Sequence, residues 1–471
     1  MKKLVLYYQK KLKNYNPKDR NSVVKYAKKL EGNTLKSLCD NISNDNKKNK
    51  GSFGHLLEKF YFNYEPNNNP EPDFPEAGLE LKSSPIKELK SGKKSSKERL
   101  VLGMIDYMSI TNENFECSSF IKKNMSLLLV FYMYQKYKSP IDYIIKLVSD
   151  WDIPEMDLKI IKSDWIKIKN KIADGRAHEL SEGDTLYLGA CTKGSTSIKS
   201  LRKQPENSIM AKSRAFSFKQ GYVNHILYSL TKNKVEKYGS VFSTKSLAEE
   251  IDFEKSIINR FSDFYGMTVE EIQSKLNIDL NRSSKAYYAS LTKAILGIDE
   301  SKEIEEFHKA GIITRTVRIQ DNLRPKEDIS FPCFKYEEIV KESWDNSEFK
   351  EIVESKFFFV FLKISDDKVK LDKVKFWNME SEDRLESQKV WKQTKGIISN
   401  GDIVKSIING RRKTNFPSKK TSDICHVRPH ARNADDTYKL PFKDKVSNLD
   451  NYTKHCFWLN SNFVRDKIYN V

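Results

Sequence analysis

Polar and apolar positions change period along the chain in a definite order, and each change predicts an element. The first 50 or so residues read as polar and helical, with SVVKYAKKL carrying helical apolar spacing. The polar stretch NISNDNKKNKGS then leads into GHLLEKFYF, a helix whose Leu56, Leu57, Phe60 and Tyr61 turn towards a core. AGLELK switches to a period of two, which sends Leu79 and Leu81 inward and leaves Glu80 and Lys82 on the other face. RLVLGMIDY and MSLLLVFYMY have the branched and aromatic content of buried strands. DWIKIKNKI predicts a helix with a turn at Gly175, LYLGACTKGSTSIKSLR a strand opening into a Gly, Ser, Thr and Lys loop, and RAFSFKQGYVNHIL a strand running into a helix.

The same order recurs further along. DFPEAGLELK, starting at Asp73, aligns without a gap with EFHKAGIITR, starting at Glu306, and MSLLLVFY corresponds to KFFFVFLK from Lys356. Trp165 and Gly175 have the spacing of Trp391 and Gly401, GACTKG from Gly189 matches HVRPHA from His426, and AFSFKQGY matches CFWLNSNF from Cys456. Matches in one unbroken order indicate an internal duplication. The expected organisation is a domain over 1–230, a linker over 231–250 and a second domain of the same fold over 251–471, each α/β with a mixed sheet.

Composition supports this division and points to a partner. A chain of 471 residues with 38% hydrophobic and 11% aromatic content can bury two or three cores. Its formal net charge of +19 favours a polyanion, with nucleic acid ahead of a membrane surface because no basic amphipathic anchor is present. Lys87, Lys90, Lys93, Lys94, Lys97 and Arg99 form a basic tract suited either to DNA phosphates or to a solvated loop. The six cysteines stand singly, which fits a reducing cytoplasm and argues against structural zinc. The N-terminal MKKLVLYYQKKLKNY lacks the apolar core of a signal peptide, and no stretch is long and apolar enough to span a bilayer, so no membrane partner is expected.

The chemistry concentrates in Glu58, Asp73, Glu80 and Lys82. Asp73 lies in a Pro-bounded segment before the Ala77-Gly78 turn, so a short hairpin folds it back beside Glu80. Two carboxylates and a lysine are the donor set of a magnesium site completed by water and phosphate oxygens. Lys82 is placed to orient or activate a water, Glu58 to bind a water of the metal shell, and Lys123 to swing in as a second cation. The pattern P-D-x(6)-E-x-K has the form of the PD-(D/E)xK nuclease site. Alone it is weak, since a chain with 31% charged residues produces such spacings by chance and a solvated, ion-paired hairpin reads the same.

The second copy narrows the choice. There Glu306 replaces Asp73, Ile313 replaces Glu80, Arg315 replaces Lys82, and Thr292 on AYYASLTKAILGI replaces Glu58. Isoleucine cannot ligate a hard cation, so the second site should not cut. Its loop is nonetheless rich in donors: Arg428, His430, Arg432 and Asn433 can reach base edges or phosphates, and Arg411, Arg412, Lys413, Lys419 and Lys420 can hold DNA nonspecifically. Blander readings suit other positions: His178 and Glu179 as a solvated loop, His225 packed in a helix, Cys191 as a strand residue, and Phe357, Phe358, Phe359 and Phe361 as core.

These residues resemble the MutH-like endonucleases, and most closely the two-domain Sau-type restriction enzymes that cut at GATC. The likeness covers nearly the whole chain and rests on GHLLEKF, PDFPEAGLELKSSPIK, SSKERLVL, FECSSF with Lys123, RAHELSEG, the CTKG loop, RAFSFKQGY and DICHVRPH. It implies a duplicated PD-(D/E)xK restriction-endonuclease-like fold and Mg2+-dependent type II cleavage of double-stranded GATC DNA. Glu58, Asp73, Glu80, Lys82 and Lys123 would form the active site, with Asp73 and Glu80 as the metal ligands and Lys193 and Lys219 contacting DNA. The C-terminal copy would be an allosteric effector domain that binds a second GATC site. It would do so in a protein monomeric in solution that forms a looped complex or a dimer on DNA. Two other functions stay open on the sequence: a sequence-specific DNA-binding protein that does not cut, and a MutH-type repair nickase. One departure is notable: the nickase carries Arg-Pro-Lys in its groove loop and a tyrosine near its last helix, where this chain has Cys191, Thr192, Lys193 and Ser217.

Overall fold

The computed structural model describes residues 14–39, 52–65, 69–89, 92, 94–194, 198–231, 237–242, 252–408 and 411–471. Lys90 and Lys93 of the basic tract, most of the linker expected over 231–250, and the N-terminal segment before residue 14 lie outside them. The chain divides into two compact units, one of residues 1–180, 184–235 and 308–311, the other of 181–183, 236–307 and 312–471. No described helix is long and apolar enough to cross a membrane.

The first unit is built on a four-stranded mixed sheet. Strand β1 (Glu80–Glu88) pairs antiparallel with β2 (Lys94–Ser96) and parallel with β3 (Ser126–Met133), which pairs antiparallel with β4 (Ile145–Asp152). β3 is the continuous apolar run LLLVF, and it is buried from Leu127 to Phe131, as a strand covered on both faces must be. The core beneath gathers Leu56, Leu57, Phe62, Phe74, Leu79, Leu81, Leu128 and Val130. Helix α1 (Glu155–Ala173) starts after Pro154 with Glu155 and Asp157 in its first turn, where acidic groups suit the helix dipole. A second sheet joins Leu100–Met104, Arg214–Phe218 and Leu188–Thr192, all antiparallel. RAFSFKQGY thus runs from a strand into the helix Gln220–Leu230, as its pattern predicts.

The second unit has its own pair of sheets. Ile313–Ile319 pairs parallel with Lys356–Ser365, which pairs antiparallel with Lys368–Asn378. Ile329–Cys333, His455–Leu459 and Cys425–Pro429 form an antiparallel sheet. Phe357, Phe359 and Phe361 pack with Trp391 of the helix Ser381–Asn400 in one core, so the phenylalanine run is interior, as expected.

One match between the halves needs correction. Glu80 lies opposite Leu127 and Ile313 lies opposite Phe357, which sets Leu127 level with Phe357. Matching Met125 to Lys356 puts Ser126 there, one residue out. Both strands are buried on both faces, so neither alternates, and a slip of one leaves no trace in the hydropathy pattern.

Candidate active site

The segment before β1 folds as a tight hairpin. Phe74 and Leu79 exchange backbone hydrogen bonds at 2.9 and 3.2 Å, and the Gly78 N–H donates to the Pro75 carbonyl at 3.2 Å. Gly78 takes φ +65°, a left-handed conformation that glycine enters without steric cost. The turn delivers Asp73 to Glu80: the Asp73 N–H donates to Glu80 Oε2 at 3.0 Å, and the Leu81 N–H donates to Asp73 Oδ2 at 3.0 Å. Lys82, on the same face of β1, places Nζ 2.6 Å from Glu80 Oε1.

Lys123 comes from the last turn of the helix Ser119–Asn124, just ahead of β3. Its Nζ lies 3.7 Å from Glu80 Oε1 and donates to the Asn69 carbonyl at 3.0 Å. Glu58 is carried by a π-helical turn, Leu57–Tyr61, that continues the helix Ser52–Leu56. Such widened turns concentrate at functional sites. Asp73, Glu80, Lys82 and Lys123 therefore meet in one cluster, and Glu58 lies near enough for its carboxyl to feel the charges of all four.

The cluster is electrostatically loaded. Burial pushes the Glu80 carboxyl up to about 7, with Asp73 adding to the rise and Lys82 opposing it. Burial likewise raises Glu58 to about 7, reinforced by Asp73 and opposed by Lys82. Both groups therefore bind protons more tightly in the folded, cation-free protein than in the unfolded chain. That contribution to stability is complete below the ordinary carboxyl value and is lost as pH rises through about 7. In a metal-free buffer, the melting temperature of the wild type should fall relative to a Glu58→Gln, Glu80→Gln variant between about pH 5 and pH 8. A constant difference across that window, measured by calorimetry, would contradict the raised values.

The residues expected to touch DNA are distributed differently. Lys193 follows the strand Leu188–Thr192 and is half-buried, with its N–H on the Ser213 carbonyl at 2.7 Å. Lys219 does not lie on a surface: it is 7% exposed, and its ammonium donates to the Thr185 carbonyl inside the first unit. Its aliphatic stem lets a lysine cross an apolar layer, and here the charge ends on a carbonyl, not in solvent.

In the second unit Arg428 lies over the Trp458 ring, 3.8 Å from its centroid, with Nη1 3.4 Å from the buried Asp328 carboxylate. His430 meets the same indole edge-on, Arg432 is exposed, and the Asn433 side chain accepts the Asp435 and Asp436 N–H groups, which makes it a turn-former. The sequence did not single out Asp328 or Trp458. The pairing of Trp458 with the position of Ser217 was the available signal. Of the residues that the sequence sets against Asp73, Lys82 and Glu58, Glu306 accepts hydrogen bonds from Ser240 and the Val241 N–H, Arg315 donates to the Thr314 carbonyl, and Thr292 bonds the Tyr288 carbonyl.

Residues 62–164 match the MutH family, described as a DNA mismatch repair enzyme. The Type II restriction enzyme Sau3AI of Staphylococcus aureus is 36% identical over 479 aligned residues, covering 94% of this chain and 96% of that protein. The chain belongs to that restriction enzyme family. It is a restriction endonuclease, and its substrate is DNA. The MutH match takes in Asp73, Glu80, Lys82 and Lys123 and begins after Glu58.

Type II restriction enzymes of this fold generally use divalent metal ions. Among the described residues no group of three or more His, Cys, Asp and Glu side chains is gathered to enclose an ion. The Asp73–Glu80 pair fits a more open arrangement. Each carboxylate is anchored by a backbone N–H through one oxygen, and Glu80, buried beside the half-buried Asp73, is held at raised proton affinity by that burial. Such a pair suits a hard cation whose remaining ligands are water and phosphate oxygens.

Proposed function

We propose that the first unit hydrolyses double-stranded DNA at GATC with Mg2+, and that the second unit binds another GATC site without cutting and stimulates the first. The contact of Lys82 Nζ with Glu80 Oε1, with Asp73 held across the hairpin, carries the catalytic half of this reading. Asp73 and Glu80 would hold the ion, which when bound supplies Lewis-acid activation of water and neutralises charge on the phosphate. Lys82 orients the attacking water and takes up charge developing on the reacting phosphate, Lys123 adds a second cation beside Glu80, and Glu58 accepts from a solvent molecule of the site.

Matching registers support a duplication as the origin of the two halves. Gly189 stands opposite Ser217 as His426 stands opposite Trp458, and Cys191 opposite Ala215 as Arg428 opposite Cys456. The strand after Glu80 and the strand after Ile313 each pair parallel with an apolar strand that bulges against its next partner, at Phe131/Tyr132 and at Phe361/Leu362. At the matching positions the second unit has Ile313 in place of Glu80, and its Glu306 is already engaged by Ser240 and Val241. The stacked, ion-paired Arg428 favours DNA recognition there, since an Arg fork can bridge a guanine edge.

Digestion of supercoiled plasmids carrying none, one or two GATC sites, with and without Mg2+, tests this function. The expected products are linear fragments from GATC plasmids with Mg2+ alone, with faster cutting when two sites are present. Open circles as the end product would instead indicate a nickase. Equal rates on one and two sites would remove the effector role, and cutting of the GATC-free plasmid would remove the specificity.

A further inference from the structure

Tyr64 stands just beyond the π-helical turn that carries Glu58, outside every role assigned so far. Its N–H donates to the Glu58 carbonyl at 3.2 Å, and its ring meets Phe74 edge-on with centroids 5.8 Å apart. The first contact ties its backbone to the segment that carries Glu58, and the second packs its ring on the residue next to Asp73, so Tyr64 lies beside both carboxylate-bearing segments and its hydroxyl is near enough to feel the charges of Asp73, Glu58 and Glu80. The phenolic oxygen is buried and has no hydrogen-bond partner among the described residues. Burial, and after it the charges of Asp73, Glu58 and Glu80, holds its pKa well above the ordinary value, so the group remains an O–H donor across the working range.

A buried hydroxyl without a partner loses its hydrogen bonds to water and gains none in return. Phenylalanine would keep the ring contact with Phe74 and avoid that penalty, so the oxygen needs a reason that the packing does not supply. We propose that Tyr64 is a positioning residue of the cation site, whose hydroxyl donates to an oxygen brought in with a divalent cation and so holds the cation's hydration shell against Asp73. The proposal rests on the reading of Asp73 and Glu80 as the cation's ligands.

Tyr64→Phe removes one oxygen and nothing else. Mn2+ alone, titrated calorimetrically into the full chain without DNA, should bind about tenfold more weakly, as the loss of one charge-assisted hydrogen bond predicts. Cleavage by this variant should fall at limiting Mg2+ and recover at saturating Mg2+. The melting temperature of the cation-free variant should equal or exceed that of the wild type, because an unsatisfied group has been deleted. Unchanged Mn2+ affinity, or a lowered cation-free melting temperature, would overturn the proposal. Glu80→Ala is run alongside to separate the two readings. If it abolishes Mn2+ binding while Tyr64→Phe leaves it intact, only the role of Tyr64 falls. If neither substitution affects binding, the ion is held elsewhere and both readings fall.

Discussion

Glu80→Ala should lower the rate of DNA cleavage by about 10³-fold or more in single-turnover measurements, because loss of the metal ligand proposed here would remove several kcal/mol of transition-state stabilisation. DNA binding should change little. Glu80 sits at the start of β1, 2% exposed, and holds together the cluster's other parts: it accepts the Asp73 N–H, meets Lys82 at 2.6 Å and faces Lys123 at 3.7 Å. Alanine leaves both lysines without their shared carboxylate and the cation with one protein carboxylate from the pair. The fold should survive, since burial already pushes the Glu80 carboxyl up to about 7 and its charged form gives the cation-free protein no stability above that pH.

Asp164→Ala should destabilise the first unit by at least about 3 kcal/mol, because it strands buried backbone donors that cost about 1–3 kcal/mol each. The Asp164 carboxylate is fully buried in α1 and accepts the N–H groups of Leu186, Tyr187 and Leu188 at 2.8, 2.6 and 2.9 Å. Those residues lead into the strand Leu188–Thr192, which ends next to Lys193. Asp164→Asn should be nearly as damaging, since an amide offers one acceptor oxygen where three donors converge. Urea unfolding of both variants measures this, and a loss below about 1 kcal/mol would show that the segment finds other partners.

The Asp73–Glu80–Lys82 cluster was largely legible because it is local. Glu80 and Lys82 share a face by strand alternation alone, Gly78 marks the turn, and Asp73 is only a hairpin away from both. The helix α1 and the strand Leu188–Thr192 after it also followed from their patterns, whereas β4, just ahead of the helix, was not read from the sequence. What escaped depends on contacts between distant segments. Asp164 reads as one more polar residue on a charged helix, and only the return of residues 186–188 makes it an acceptor for three N–H groups. Lys219 reads as a surface cation until Thr185 comes to meet its ammonium. The π-helical turn at Glu58 is a change in backbone hydrogen bonding that no side-chain pattern encodes, and Tyr64, in a polar stretch, carries no periodic signal at all. The proposed match between the halves takes its anchors from turns and tryptophans in the sequence, and its register slips by one residue where two strands are uniformly apolar.

The most direct test of the division between a cutting and a non-cutting half is the Glu80→Ala protein on a supercoiled plasmid with several GATC sites, in saturating Mg2+, beside the wild type. The account predicts linear fragments from the wild type and intact supercoiled DNA from the variant, while both retard a GATC duplex with similar affinity. Fragments or nicks from the variant at a substantial fraction of the wild-type rate would contradict it, because the cutting centre would then lie outside the Asp73–Glu80–Lys82 cluster.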